Sequence, residues 1–142
     1  MQYSQVHAFM ATRAEQMLSG ALDALADSYV YPMPVYLRDQ SLVVTSPERA
    51  CAMLCLQRLS MIRRKVVALR PTIVAVDLPR NGRFRVWVDW LELAIPAEGT
   101  GRSSAVYYCS EGPSGLKIEM VAYTQLSTPE LQPQFAALAV SA

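Results

Sequence analysis

The sequence predicts an α+β domain in which a strongly curved antiparallel sheet wraps around helices from the N-terminal half. Apolar residues recur at helical spacing in two early segments, and long strand-like segments follow from about residue 72. A curved sheet would bury the apolar faces of both helices at once. At 142 residues the chain has the length of one domain with one substantial core, and we expect residues 1–142 to form it.

The first segment carries apolar residues at steps of three and four from Val6 to Leu25, which predicts a helix. Ser4 is the expected N-cap, because a serine hydroxyl accepts a backbone N–H of the first turn. Gly20 weakens the helix and predicts a bend or a break there. The helix has to end by Tyr31, because a residue that precedes a proline disfavours the helical conformation.

An extended segment, YVYPMPVYL at residues 29–37, follows this helix. Its two prolines are incompatible with a regular helix, and an extended chain shows its side chains to alternate sides. Tyr29, Tyr31 and Met33 then share one side, while Tyr36 lies on the other. At most two of the three tyrosines can therefore face one cavity. Two interpretations stay open: the rings close over the core, or they contact a ligand at a pocket mouth.

Two short strands and a second helix come next. Residues 35–37 and 41–44 have strand composition, and Ser46 followed by Pro-Glu is a strong helix start. We expect this helix to run to about Val67, with the basic residues 63–65 solvated in its last turns. Its predicted apolar face comprises Cys51, Leu54, Cys55, Leu59, Ile62 and Val66.

The rest of the chain is predicted to form four long strands, at residues 72–78, 84–95, 104–110 and 116–126. Asn81-Gly82 between the first two predicts a hairpin, because both central residues of a type I′ turn have positive φ. Residues 113–115 predict another turn, residues 96–102 a loop, and residues 129–140 a short helix.

Composition limits the classes of function. Hydrophobic residues make up 52% of the chain and charged residues 18%, an apolar surplus that suits a roomy cavity or a subunit interface. The net charge is +1 with the signs mixed along the chain, which argues against nucleic-acid binding. The N-terminal segment lacks a signal-peptide pattern, no apolar run has membrane-spanning length, and the three cysteines have no framework spacing. We therefore expect a cytoplasmic protein.

The order of elements, the YVYPMPVYL segment and the long strand at residues 84–95 resemble the nuclear transport factor 2-like superfamily over nearly the whole chain. Within it, the chain is similar to SnoaL-like and ketosteroid-isomerase-like domains. The resemblance implies a cone-like, cystatin-like roll, a pocket between sheet and helices, and a homodimer. It does not carry over the catalytic acid of ketosteroid isomerase, because neither Asp77 nor Asp89 matches that residue by motif.

Strand alternation divides the predicted sheet into two faces. Phe84, Val86, Val88 and Trp90 on one strand, and Leu116, Ile118, Met120 and Ala122 on another, form the apolar face towards the helices. The expected ligand pocket is lined by Tyr31, Met33, Tyr36, Val88, Trp90, Tyr107 and Met120. The opposite face mixes charges with aromatic rings and is either a dimer interface or an ordinary exposed surface. The expected interface residues are Arg85, Trp87, Asp89, Val121 and Tyr123.

Three polar residues lie where the pattern expects apolar ones. Arg58 is on the apolar stripe of the second helix, Glu92 continues the apolar face of its strand, and His7 edges the first stripe. For each residue two interpretations stay open. The side chain is solvated or structural, or it contributes to a ligand pocket. Glu92 as a general base and Arg58 as an anion-binding partner are the catalytic candidates.

Other catalytic patterns are missing from the sequence. A single histidine argues against a histidine-rich metal site, and Cys51 and Cys55 are expected to fill the core. Since no GxGxxG or P-loop motif is present, we expect no cofactor and no metal. Two functions remain: a domain that binds or transforms a small hydrophobic molecule, by isomerase, cyclase or dehydratase chemistry, or a non-catalytic homodimeric module whose own side chains fill the cavity.

Overall fold

A computed structural model describes residues 2–141 and confirms the α+β prediction. Short 3₁₀ turns at Ala97–Gly99 and Pro129–Leu131 separate some of the elements. In chain order the elements are α1 Tyr3–Ser19, α2 Leu22–Asp27, β1 Met33–Tyr36, β2 Ser41–Val44, α3 Pro47–Arg63, β3 Val66–Val76, β4 Arg83–Ala94, β5 Gly101–Gly112, β6 Gly115–Gln125, α4 Gln132–Leu138 and β7 Val140–Ser141.

The strands form one open sheet in the order β3-β4-β5-β6-β1-β2-β7. It is a mixed sheet, because β1 pairs in parallel with β6 while the other pairs are antiparallel. The inward residues of β4 alternate as predicted, with Phe84, Val86, Val88 and Trp90 all buried. They pack with Val6, Met10 and Ala14 of α1 in one core cluster.

The first helix breaks where the sequence predicted. Gly20 adopts a left-handed conformation with φ of 83°, which ends α1 and lets α2 begin in a new direction. The predicted N-cap was wrong, because Ser4 lies inside the first turn. The helix instead begins at Tyr3, where the Gln5 side-chain oxygen accepts the Gln2 backbone N–H at 2.9 Å.

The second helix is shorter than predicted. It ends at Arg63, Lys65 takes a positive φ of 59°, and Val66 already belongs to β3 and pairs with Ala94. The helical spacing of apolar residues continues past residue 63. The helix nevertheless ends there, because the following residues pair with β4 as a strand. Pro71 is accommodated within β3 because this strand lies at the edge of the sheet.

The buried face of α3 differs from the predicted one. Leu59 and Ile62 are 42% and 53% exposed, and Cys55 is exposed as well. The inward residues are instead Ala50, Leu54, Gln57, Met61 and Arg64, spaced by four, three, four and three positions. This stripe contains two polar residues, so apolar periodicity alone selected the wrong side of the helix.

A β-bulge on β6 leaves Leu116 and Ile118 inward, as predicted, and reverses the predicted faces from Met120 onward. Cys109 pairs with Ile118 and Tyr108 pairs with Met120, so Glu119 is an extra residue opposite a single step of β5. Beyond the bulge the alternation shifts by one residue. Val121 is buried in the core, and Met120 lies beside Tyr108 on the outer face.

Three predictions about individual residues are therefore corrected. Val121 and Tyr123, expected at a dimer interface, pack against the core from the inner face, and Met120, expected in the pocket, faces outward. No sequence pattern marks the extra residue, because an isolated bulge leaves the composition of a strand unchanged.

The reversed faces of β6 predict that a valine-to-threonine substitution lowers the free energy of unfolding by different amounts on β6 and on β5. Val121→Thr places a hydroxyl in the core and should lower the free energy of unfolding by about 1–3 kcal/mol. Val106→Thr, on the outer face of β5, should change it by less than about 0.5 kcal/mol. Chemical denaturation of both variants measures the difference. An equal or larger loss in Val106→Thr would contradict the assigned register.

The cysteines should differ in reactivity. Burial raises the pKa of the Cys109 thiol to about 12, so almost none of it is thiolate at pH 8. Cys55 is exposed. Iodoacetamide at pH 8 should alkylate Cys55 in the folded protein and Cys109 only after unfolding, as peptide mass spectrometry will show. Fast labelling of Cys109 in folded Cys55→Ala protein would contradict its burial.

Candidate functional site

A cavity of about 70 Å³ lies between the helices and the inner face of the sheet. α1 and α3 supply one wall, and β4, β5 and β6 supply the other. An adjoining cavity of about 40 Å³ shares Tyr29, Leu54, Gln57, Tyr123 and Leu126 with the first. The main cavity is lined by Arg13, Met17, Leu25, Tyr29, Leu54, Gln57, Met61, Arg64, Leu69, Trp90, Glu92, Ser103, Tyr107, Tyr123, Leu126, Ser127 and Thr128.

Arg13 contributes a buried cation to this cavity. It lies within the buried stripe of α1, between Met10 and Met17, and is only 7% exposed. Its Nη1 donates a hydrogen bond to the Ser28 hydroxyl at 2.7 Å, and its Nη2 donates to the Tyr29 hydroxyl at 2.8 Å. Both acceptors are neutral groups, so these bonds orient the guanidinium without neutralising it.

Aromatic rings surround the Arg13 guanidinium. Its central carbon lies 5.1 Å from the ring centroid of Tyr29, 5.7 Å from that of Tyr107 and 5.9 Å from that of Phe9. Burial by itself lowers the pKa of Arg13, but the neighbouring tyrosine oxygens raise it, and the net direction is upward. The side chain therefore stays protonated at neutral pH.

Arg13 has no carboxylate partner among residues 2–141. Its Nε is also fully buried without a hydrogen-bond acceptor in that part of the chain. Buried charges are ordinarily paired, and a buried N–H without an acceptor costs free energy. This orphaned donor is the most unusual feature of the cavity.

Trp90 and Tyr107 form a buried pair on the sheet side. The Trp90 Nε1 donates a hydrogen bond to the Tyr107 hydroxyl at 2.9 Å. Burial raises the pKa of Tyr107 to about 12, partly offset by the charge of Arg13, so the phenol keeps its proton at neutral pH. Within the described chain that proton has no acceptor, and it is available to a bound molecule.

Glu92 lies inside the cavity and not at an exposed rim, being 4% exposed. One of its oxygens accepts a hydrogen bond from Arg64 Nη2 at 2.7 Å, and the other accepts from the Ser127 hydroxyl at 2.9 Å. Arg64 is fixed further by the Gly99 carbonyl at 3.1 Å. Each carboxylate oxygen therefore accepts one hydrogen bond, and Arg64 balances the charge of Glu92.

Gly101 makes room for the pair of Glu92 and Arg64. A Cβ at this position would lie 2.8 Å from a Glu92 carboxylate oxygen and 2.8 Å from Arg64 Nη1. A larger residue would therefore displace the buried ion pair.

The structure brings together only part of the predicted pocket. Trp90 and Tyr107 line the main cavity, and Met33 lines the adjoining one. Val88 is buried in the core without lining either, and Tyr31 donates its hydroxyl to the Ala26 carbonyl at 2.7 Å. Tyr36 points outward from β1 and is 45% exposed, so it was wrongly assigned to the pocket.

The other candidate residues lie outside the cavity. Arg58 donates to the carbonyls of Met17 and Leu18 at 3.1 and 3.4 Å, so it caps the end of α1 and does not bind an anion in the pocket. His7 is exposed and contacts the Tyr3 ring edge to face at 4.5 Å.

The outer face keeps three of the predicted interface residues. Arg85 forms an ion pair with Asp77 at 2.7 Å and lies 4.8 Å from the Trp87 ring centroid. Asp89 accepts a hydrogen bond from the Ser104 hydroxyl at 2.8 Å. Arg85, Trp87 and Asp89 all lie on the outer face of β4.

Sequence reasoning missed the two arginines that matter most here. Arg13 interrupts the apolar stripe of α1 three residues after Met10 and four before Met17, a signal that pattern analysis could have used. Arg64 was expected to be solvated with its basic neighbours. Its inward direction depends on where α3 ends, which only the pairing of β3 with β4 decides.

Solved structures of similar fold support the architecture. An NTF-2 like protein of unknown function from Shewanella oneidensis MR-1 has a TM-score of 0.68 at 14% identity, covering 87% of this chain and 98% of that one. A domain of unknown function with a cystatin-like fold from Nostoc punctiforme has a TM-score of 0.64 at 14% identity, covering 96% and 86%.

A third similar structure is a putative calcium/calmodulin dependent protein kinase II association domain from Xanthomonas campestris, with a TM-score of 0.65 at 12% identity, covering 92% of this chain and 90% of that one. No known family model and no curated protein matches the sequence. The chain has the nuclear transport factor 2-like fold, as its element order predicted. Within residues 2–141, no helix has the length and apolar character needed to cross a membrane.

The buried ion pair predicts a measurable loss of stability. Arg64→Met leaves the Glu92 carboxylate buried with only Ser127 as a partner and should lower the free energy of unfolding by about 2 kcal/mol. Adding Glu92→Gln should recover part of this loss, because no unpaired charge then remains. Arg83→Met is the matched control, since its pair with Glu119 is exposed and contributes less than about 1 kcal/mol. Equal losses for Arg64→Met and Arg83→Met would contradict the network.

Proposed function

We propose that the protein binds a small, largely apolar ring compound in the cavity between α1, α3 and the sheet. The observation that carries this proposal is a space between helices and sheet whose lining combines aliphatic and aromatic side chains with convergent polar groups. Ligand sites in proteins commonly have this composition. Many proteins of one fold differ in function, so the fold alone does not supply the argument.

The dimensions of the cavity favour a small ligand. Volumes of about 70 and 40 Å³ are well below the roughly 300–1,000 Å³ of pockets for drug-sized molecules. The two spaces are separated by side chains that line both, Gln57 and Leu126 among them, and these are only half-buried. Movement of those two side chains would join the two spaces, and a ring compound needs the joined space.

Binding is better supported than turnover. Glu92, the acid that lines the cavity, is held by Arg64 and Ser127, and His7 is remote on the surface of α1. Isomerase, cyclase or dehydratase chemistry would need a base that is free to take a proton. The protein is therefore proposed as a binding domain, with catalysis dependent on opening of the Glu92 network.

A non-catalytic homodimeric module is the second candidate. The outer face of β4 carries half-buried Trp87 beside Arg85, and Val74 and Leu78 of the neighbouring β3 segment are 60% and 89% exposed. A second copy on this face would remove that apolar surface from water. The name of the Xanthomonas neighbour, an association domain, is consistent with this arrangement.

Free thiols at Cys51, Cys55 and Cys109 support a reducing, cytoplasmic setting.

A cavity-filling variant tests the binding proposal. Leu54 lines both cavities, so Leu54→Phe should occupy the space and abolish binding, whereas Leu59→Phe on the exposed side of the same helix should bind like the wild type. A thermal-shift screen of ring compounds provides the measurement. A ligand at 100 times its Kd should add about 2.7 kcal/mol of stability to the wild type and nothing to Leu54→Phe.

Native mass spectrometry of the purified protein separates the two candidates. A copurified small molecule on a monomer would favour the binding domain, and a dimer without bound molecules would favour the association module. If no ring compound stabilises the wild type, or if Leu54→Phe binds as tightly, the cavity is not a ligand site.

A further inference from the structure

We infer that Arg13 is an anion subsite, and that the molecule bound in the cavity is a small ring acid whose carboxylate meets the Arg13 guanidinium. This inference rests on the proposed binding function and adds the chemical class of the ligand. It is carried by the orphaned Nε–H of Arg13 and by the uncompensated charge of the cavity.

The charge balance of the cavity is positive. Its lining contains two guanidinium groups, Arg13 and Arg64, and one carboxylate, Glu92. Arg64 and Glu92 neutralise each other at 2.7 Å, which leaves the charge of Arg13 without a counterion among the described residues. Charged side chains are almost never fully buried unless they are paired. A monoanion would balance this charge, whereas a phosphate dianion would leave an excess negative charge in a buried site.

The hydrogen-bonding balance points in the same direction. Within residues 2–141, Arg13 Nε–H has no acceptor, and neither the Tyr29 nor the Tyr107 hydroxyl donates its proton. The carboxylate acceptors of Glu92 are already engaged. The end of the cavity around Arg13 therefore offers donors and lacks acceptors. A carboxylate is an acceptor with two oxygens in one plane, which matches the planar guanidinium.

The rest of the lining determines the other part of the ligand. The polar lining residues Arg64, Glu92, Ser103 and Ser127 already form hydrogen bonds with one another. The remaining lining includes the aliphatic side chains of Met17, Leu25, Leu54, Met61, Leu69 and Leu126. They offer contacts to hydrocarbon and few hydrogen bonds. The complementary molecule carries its acid group at one end and a compact apolar ring at the other.

A purely structural role for Arg13 makes a different prediction. A structural arginine stabilises the folded protein through its partners, and its loss lowers stability. Here the guanidinium is buried against neutral hydroxyls and rings, so Arg13→Met, which keeps a similar apolar stem, should leave the melting temperature of the ligand-free protein unchanged or raised. The cost of burying the charge is then offset only when an anion is bound.

Benzoate and benzamide provide the test, because they share size and shape and differ in charge at pH 7. Titration calorimetry of the wild type should give benzoate at least a tenfold lower Kd than benzamide. Arg13→Met should bind the two about equally, and Arg13→Lys, which keeps the charge without the planar fork, should retain part of the preference. Arg83→Met, an exposed arginine remote from the cavity, should keep the full preference.

Each other result overturns the inference in a recognisable way. Equal binding of benzoate and benzamide by the wild type would leave the cavity as a ligand site without an anion subsite. A preference for benzoate that persists in Arg13→Met would place the anion elsewhere. Tighter binding of phenyl phosphate than of benzoate would replace the carboxylate by a phosphate group. If no ring compound of either charge binds, the proposed function fails together with the inference. The wild-type comparison does not require any variant to fold.

Discussion

The extra residue at Glu119 determines which side chains of β6 reach the interior. Before the bulge, Ile118 points inward, and after it Val121 and Tyr123 do so in place of Met120 and Ala122. Because Tyr123 then stands beside Tyr107 on the same face, two phenol rings close the sheet side of the cavity. Without this shift the wall opposite Arg13 would be a methionine and an alanine. The bulge therefore decides which β6 side chain, Tyr123, reaches the cavity.

Three arginines of the helical segments take three different roles. Arg58 satisfies the last carbonyls of α1, Arg64 neutralises the buried acid Glu92, and Arg13 is held by hydroxyl groups. The first two find acceptors that the fold itself leaves unpaired. Within residues 2–141, Arg13 keeps its Nε–H donor without an acceptor. The acceptors that surround each guanidinium distinguish these roles more clearly than the position of the arginine on its helix does.

Several helix boundaries and one strand face could be predicted from residues that are close together in sequence. Ser46 and Pro47 set the start of α3, Gly20 separated α1 from α2, and alternation on β4 identified its inner face. These features depend on residues close together in sequence, whose effects on φ, ψ and capping do not require the rest of the chain. Trp90 and Tyr107 were placed in the cavity for the same reason, because both lie on strands whose alternation is regular over the relevant length.

The α+β class, the order of the elements and the apolar side of β4 follow from the sequence alone, because periodicity and turn chemistry are local properties. Contacts between distant parts of the chain set the end of α3 at Arg63, the bulge on β6 and the inward direction of Arg13 and Arg64. Strand pairing fixes the first two, since it joins residues distant in the chain. The inward arginines depend on which acceptors and rings converge on them. That convergence arises when helices and strands from the whole chain pack around one space, and no single segment encodes it.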